Sequence, residues 1–144
     1  MPGPEALRRR EYYGFPGNHF WKMMADLYHG GKPFESYAAK LRLLKQNKIA
    51  LWDTIGSCRR EGASDSAICD AEPNDISGLI RRYPNIRIIV LNGKTAERFF
   101  LKYHANRIQL PRHTLPSTSP AHAAMPYAEK LKQWSVLRHF SQPP

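Results

Sequence analysis

The chain has 144 residues, 42% hydrophobic and 24% charged, which suits one globular domain with a real core. Its 22 Lys and Arg against 12 Asp and Glu leave a formal charge of +10, a surplus that favours a polyanionic partner through phosphate neutralisation and counterion release. No apolar run reaches the ~20 residues of a membrane span, no charged-then-apolar leader opens the chain, and two cysteines without a CxxC argue against a zinc ribbon or a four-cysteine cluster. The expected compartment is the cytoplasm.

Residues 1–4 read as a loop and 5–11 as a short helical turn. Residues 12–21, Tyr12-Tyr13-Gly14-Phe15-Pro16-Gly17-Asn18-His19-Phe20-Trp21, hold a dense aromatic cluster broken by glycine and proline, which excludes a regular element. Apolar spacing then resumes at Phe20, Trp21, Met24, Leu27 and Tyr28, a helix face stopped by Gly30-Gly31. Asn18 stands where an N-cap belongs; it is either a cap or an amide that a loop presents to a planar ligand. Residues 34–46 predict a second amphipathic helix with Tyr37, Leu41 and Leu44 inward, and residues 48–53 a short buried strand. Residues 54–63 are polar and end in a charged turn at Arg59-Arg60-Glu61-Gly62; Ser64-Asp65 caps a short helical turn. A helix over 74–83 is capped by Asn74 or Asp75, with Ile76, Leu79 and Ile80 inward.

Residues 86–91 are the clearest strand, β-branched and mostly apolar, as a strand covered on both faces should be. The strand runs through Asn92-Gly93-Lys94 into a helix carrying Phe99, Phe100 and Tyr103, which is half of a parallel α/β unit. A weaker strand is predicted over 107–110, a loop of small hydroxyls over 115–121, and a last helix over 127–140 with Leu131, Trp134, Leu137 and Phe140 inward. This alternation predicts an α/β fold with an open, mostly parallel sheet.

Ligands of such sheets bind at the carboxyl ends of strands, which singles out Asn92-Gly93 and the loop between Pro116 and Pro120. Asn-Gly is a common turn, yet an amide that donates and accepts at once also suits the polar edge of a nucleobase. A stiff loop with Ser117 and Ser119 could equally be a linker or contact phosphates in a groove. There is no GxGxxG, no GxxxxGK[ST] and no GxSxG. The six histidines lack metal-ligand spacing and read as surface or capping residues, so neither a metal nor a cofactor is implied. Asp53 and Asp65 read as strand-end or cap residues before catalytic carboxylates.

Taken together, Pro2-Gly3, the residue 12–21 block, Leu51-Trp52-Asp53, Arg60-Glu61-Gly62-Ala63-Ser64-Asp65, Leu91-Asn92-Gly93-Lys94-Thr95-Ala96 and Leu115-Pro116-Ser117-Thr118-Ser119-Pro120-Ala121 resemble the hypoxanthine-DNA glycosylase family of the uracil-DNA glycosylase superfamily. The blocks occur in family order over almost the whole chain. The resemblance implies a three-layer α/β/α fold with a central parallel four-stranded sheet, one domain over residues 1–144, and a monofunctional enzyme of base-excision repair. It implies that this enzyme works without cofactor or metal, as a monomer, on nucleoid DNA. The family has a full strand before its Pro-Gly motif, whereas this chain starts inside that motif, so the first strand is expected to be missing.

By the same resemblance Asn18 is the catalytic amide and Asn92 a base-contacting or supporting one. The flipped base would lie against the backbone of Pro2 and Gly3 and between Tyr12, Tyr13, Phe15 and Phe20. Ser117, Thr118, Ser119 and Pro120 match the loop that enters the DNA when the base is flipped, and with Lys94 would meet double-stranded DNA containing a deaminated base. The rival readings are a uracil or G·U mismatch glycosylase, a non-catalytic nucleic-acid-binding remnant of the fold, and a basic structural domain.

Overall fold

Residues 11–59, 69–121 and 123–141 are described by the structure, a computed structural model. The Pro2–Gly3 motif, the 5–11 turn for the most part, the Arg60–Gly62 turn and the Ser64-Asp65 cap lie outside them. The fold is mixed α/β, and the chain divides into two compact units, Asp53–Ser117 and the pair of segments Pro2–Trp52 and Thr118–Pro144.

The Asp53–Ser117 unit opens with an antiparallel hairpin, β1 (Ile55–Arg59) and β2 (Cys69–Pro73), whose register shifts twice along its length. The polar residues 54–63 do not predict this strand pair; main-chain hydrogen bonding builds it without an alternating apolar pattern. The Asn74 amide donates to the Asp53 carbonyl at 2.8 Å, so Asn74 staples the end of the hairpin, and the helix cap falls to Asp75. Asp75 accepts from the Gly78 N–H at 3.0 Å, a bond that holds its carboxyl below the usual range, and starts α3 (Ile76–Arg82).

Strand β3 (Ile89–Asn92) pairs in parallel with β4 (Arg112–Leu115), Ile89 opposite Arg112 and Asn92 opposite Leu115. Among the described residues the parallel sheet consists of these two strands. The predicted strand 86–91 thus begins three residues late, because the ladder starts where Ile89 N–H meets the Pro111 carbonyl at 2.9 Å. The strand predicted over 107–110 is displaced to 112–115. Arg107 is still in a turn closed on His104, and Ile108 serves as core. Helix α4 (Lys94–Tyr103) follows β3, and Leu91, Phe100 and Ile108 form a cluster flanked by Ile76, Ile80 and Ile89.

His104 caps the C-terminus of α4, one of the two places expected for a histidine, and is buried in this unit; its Nε2 has no hydrogen-bond partner among the described residues. Burial lowers its pKa below the ordinary 6.5; the Thr54 carbonyl and Asp75 oppose that shift and Arg107 adds to it. Protonation therefore favours the unfolded chain. Stability is full above pH 6.5 and is expected to fall as the pH drops from there toward the lower folded value. Urea midpoints at pH 7.5 and 5.5 measure this, and His104→Gln should flatten that part of the profile.

In the other unit, α1 (Phe20–Tyr28) buries Phe20, Trp21, Met23, Met24 and Leu27. Helix α2 (Tyr37–Gln46) is capped by Ser36, whose side chain accepts from Ala39 N–H at 3.1 Å. It buries Leu43 and Leu44, while Leu41, expected inward, is 42% exposed. The strand predicted over 48–53 does not form. Lys48 takes a left-handed φ of 59° and Ile49 N–H bonds back to Leu44 at 2.9 Å, so these residues terminate α2, and Trp52 is exposed. The predicted last helix is two, α5 (Tyr127–Trp134) and α6 (Val136–Phe140), divided where the Ser135 hydroxyl donates to the Lys132 carbonyl at 2.6 Å. Arg138 of α6 donates to the Leu27 carbonyl at 2.8 Å, tying this end to α1.

Candidate active site

The loop before α1 is anchored at the main chain of Tyr12 by two aromatic side chains. Tyr12 N–H donates to the Tyr37 hydroxyl at 3.0 Å, and its carbonyl accepts from the Trp21 indole at 2.7 Å. Tyr13 then adopts a left-handed φ of 53°, which costs roughly 1 kcal/mol or more for a residue with a Cβ. The turn lays the Tyr13 ring on Phe20, centroids 4.2 Å apart. Phe20 is only 2% exposed, so it supports Tyr13 from behind, while the half-buried Tyr13 is the ring a ligand could reach.

Asn18 closes the loop. Its N–H donates to the Phe15 carbonyl at 3.0 Å, and its side-chain Oδ1 accepts from Phe20 N–H at 3.0 Å. The residue thus does cap α1, one position earlier than the formal cap His19, whose side chain makes no capping bond. The bond to Phe20 N–H fixes the plane of the amide, which keeps its Nδ2 donors and the second lone pair of Oδ1. His19 N–H donates to the carbonyl of Thr118 at 2.9 Å, so the loop around Thr118 braces the residue after Asn18.

Thr118, expected to touch DNA, is fully buried. Ser119 Oγ accepts from Ala121 N–H at 3.2 Å, and Pro120 is exposed.

Behind His19 lies a polar cluster that no sequence motif announces. The His19 ring meets the Tyr127 ring edge-on at 5.2 Å, the Tyr127 hydroxyl donates to Asp26, and Lys22 Nζ sits 3.9 Å over the Tyr127 ring. Burial, with Asp26, raises the Tyr127 pKa. Only proximity in the fold reveals this group, since Asp26 and Tyr127 are far apart in the chain. A cleft of about 320 Å³ beside it is bounded by Trp21, Lys22, Asp26, Lys32 and Phe34 and contains none of the predicted site residues.

In the Asp53–Ser117 unit, Asn92 ends β3 at the carboxyl edge of the parallel pair. Gly93 follows with φ 94°, and its N–H reaches the Leu115 carbonyl at 2.9 Å. A side chain there would meet the Ser117 Cβ at 2.8 Å, so the Asn92 turn and the Ser117 loop are pressed together, as the rule for open sheets anticipates. Lys94 opens α4 with an exposed amine 3.7 Å from Glu97, whose carboxyl is held below the usual range chiefly by the Thr114 hydroxyl. Among the described residues no group of His, Cys, Asp and Glu could hold a metal ion, and no helix is long and apolar enough to cross a membrane.

The profile of the uracil DNA glycosylase superfamily matches residues 1–138, so the protein is a DNA glycosylase, a hydrolase of base-excision repair whose substrate is DNA. The chain is 34% identical over 139 residues to a hypoxanthine DNA glycosylase of Methanosarcina acetivorans, covering 96% of this chain and 87% of that protein. It is 36% identical over 99 residues to a hypoxanthine DNA glycosylase of Methanosarcina barkeri, covering 69% of this chain and 63% of that one. A solution NMR structure from M. acetivorans, assigned by name to the uracil DNA glycosylases, superposes with a TM-score of 0.78 at 34% identity, over 98% of this chain and 86% of that one. The chain belongs to the uracil DNA glycosylase superfamily, in its hypoxanthine DNA glycosylase branch.

Proposed function

We propose that the protein excises hypoxanthine from deoxyinosine in double-stranded DNA, acting as a monomeric single-domain enzyme in the compartment that holds the chromosome. The reading rests on the superfamily match together with the names of the two relatives. The nucleotide must leave the stack, at a cost of a few kcal/mol that is least for a mismatched base. In the hydrolysis, the oxygen of a water bonds to C1′ as the C1′–N9 bond breaks. The bonding pair leaves with the purine, and the water's proton ends on the base or in solvent.

Asn18 is the catalytic amide in this reading by its place in the family's motif, and its Oδ1 bond to Phe20 N–H holds the amide in one plane. Held in one plane, Asn18 serves as a fixed donor from Nδ2 to the departing base, where negative charge develops, or holds the water through the second lone pair of Oδ1. Tyr13 stacks on the base, backed by Phe20. Asn92 reads its polar edge. Hypoxanthine offers a carbonyl and an N–H where adenine offers the reverse, so the amide must be held in one orientation to discriminate. Pro2, Gly3 and Tyr12 complete the base pocket; Lys94, Ser117, Ser119 and Pro120 contact the backbone.

Uracil presents a similar carbonyl and N–H pair, so the test is competition. Duplexes with one deoxyinosine or one deoxyuridine are incubated with the protein, and alkali cleavage reads the abasic sites. Faster release from deoxyinosine is expected. Preference for deoxyuridine would move the assignment to a uracil enzyme, and no release of either base by folded protein would sink it.

A further inference from the structure

Phe15 was expected to help wall the base pocket, yet its side chain is 47% exposed, while Tyr13, two residues earlier, packs inward on Phe20. Single exposed apolar residues are ordinary. This one is held in an unusual way. Pro16 fixes the backbone after it, and the Asn18 N–H bond to its carbonyl closes the turn at 3.0 Å. Its ring lies over Gly17 so closely that a Cβ there would stand 2.5 Å from Cε1. The ring keeps this position only with glycine at 17, since a Cβ would push it aside, and the turn sets an exposed aromatic face three residues from Asn18.

The geometry points to Phe15 as a stacking wedge, outside the base pocket, for a base that remains in the DNA duplex beside the flipped nucleotide. The inference rests on the glycosylase reading of Asn18 and extends it. Flipping unstacks the neighbours of the departing base, and an apolar ring pressed against the exposed base restores part of that loss. Any base offers a π-face, so the contact is indifferent to sequence, and a stiff loop brings it at little entropic cost. The partner is the same DNA that carries the lesion, to which the +10 chain is drawn by charge.

A wedge is needed only where there is a stack to hold open. Base release by Phe15→Ala is therefore compared with wild type on a deoxyinosine duplex and on the same strand alone. The expected result is a loss of about tenfold or more on the duplex and little on the single strand, with Phe15→Trp retaining duplex activity. Gly17→Ala, which displaces the ring, should reproduce the duplex defect. Equal loss on both substrates would return Phe15 to the pocket wall, and no loss on the duplex would remove its role; either overturns the proposal. Should the wild type release no base at all, the glycosylase reading fails separately. Affinity for a duplex carrying a tetrahydrofuran abasic site then decides the matter for Phe15: a drop of about tenfold in Phe15→Ala, absent on single strands, sustains it, and equal affinities overturn it.

Discussion

Replacing Asn18 with aspartate is expected to leave the protein folded and to slow base release at least about a hundredfold, the loss typical of removing one fixed donor from a charge-stabilising site. The substitution separates the two roles of the side chain. A carboxylate oxygen can still accept from Phe20 N–H, as Asn18 Oδ1 does at 3.0 Å, and negative charge suits a helix N-terminus. What vanishes is the Nδ2 donor, and a negative charge now faces the purine as it departs with its bonding pair. Asn18→Ala should be equally inactive but also lose the cap, about 1 kcal/mol of stability. Single-turnover release and thermal melting of both variants make the comparison. An Asn18→Asp protein with near wild-type rates would remove the donor role, and an active Asn18→Ala would show that the amide is a cap and nothing more.

Gly93→Ala is expected to destabilise the Asp53–Ser117 unit by about 2–4 kcal/mol, a large share of the stability of an ordinary domain. Two effects add. At φ 94° any Cβ is strained, and this Cβ would stand 2.8 Å from the Ser117 Cβ and 3.3 Å from its Cα. Ser117→Ala keeps the offending atom, so it should bring no relief; Ser117→Gly removes it and should recover only the steric share. Urea denaturation of the singles and the double mutant gives the coupling energy directly. Because the turn carries Asn92, base release should fall in Gly93→Ala even where the protein remains folded. A loss under 1 kcal/mol would mean that the Ser117 loop yields freely, and that Asn92 is less firmly set than the turn suggests.

Much of this architecture is legible from local rules. The helices begin and end near where apolar spacing, glycines and caps put them: Gly30-Gly31 closes α1, and Asp75 opens α3. The strand–Asn–Gly–helix passage at Ile89–Tyr103 follows from a β-branched run meeting a residue free to take positive φ. Even Asn18 as a cap is readable, since the preference of Asn for that position is a property of its own side chain. The hairpin Ile55–Pro73 is not legible, because its strands are polar and held by main-chain bonds. Residues 48–53 mislead in the opposite sense: an apolar run is consistent with a strand, but only a partner makes one.

By itself, then, the sequence determined the family, the charge that draws the protein to DNA, and the turns where its amides sit, because motif order and short-range chemistry are carried by neighbouring residues. Tertiary structure alone decided which way the aromatics face and which oxygen is already engaged. Tyr13 turns inward and Phe15 outward, Thr118 is buried as a brace, and Tyr127 meets Asp26 across most of the chain. Those outcomes depend on packing between segments distant in sequence, where a side chain's fate is set by what covers it and not by its own preference.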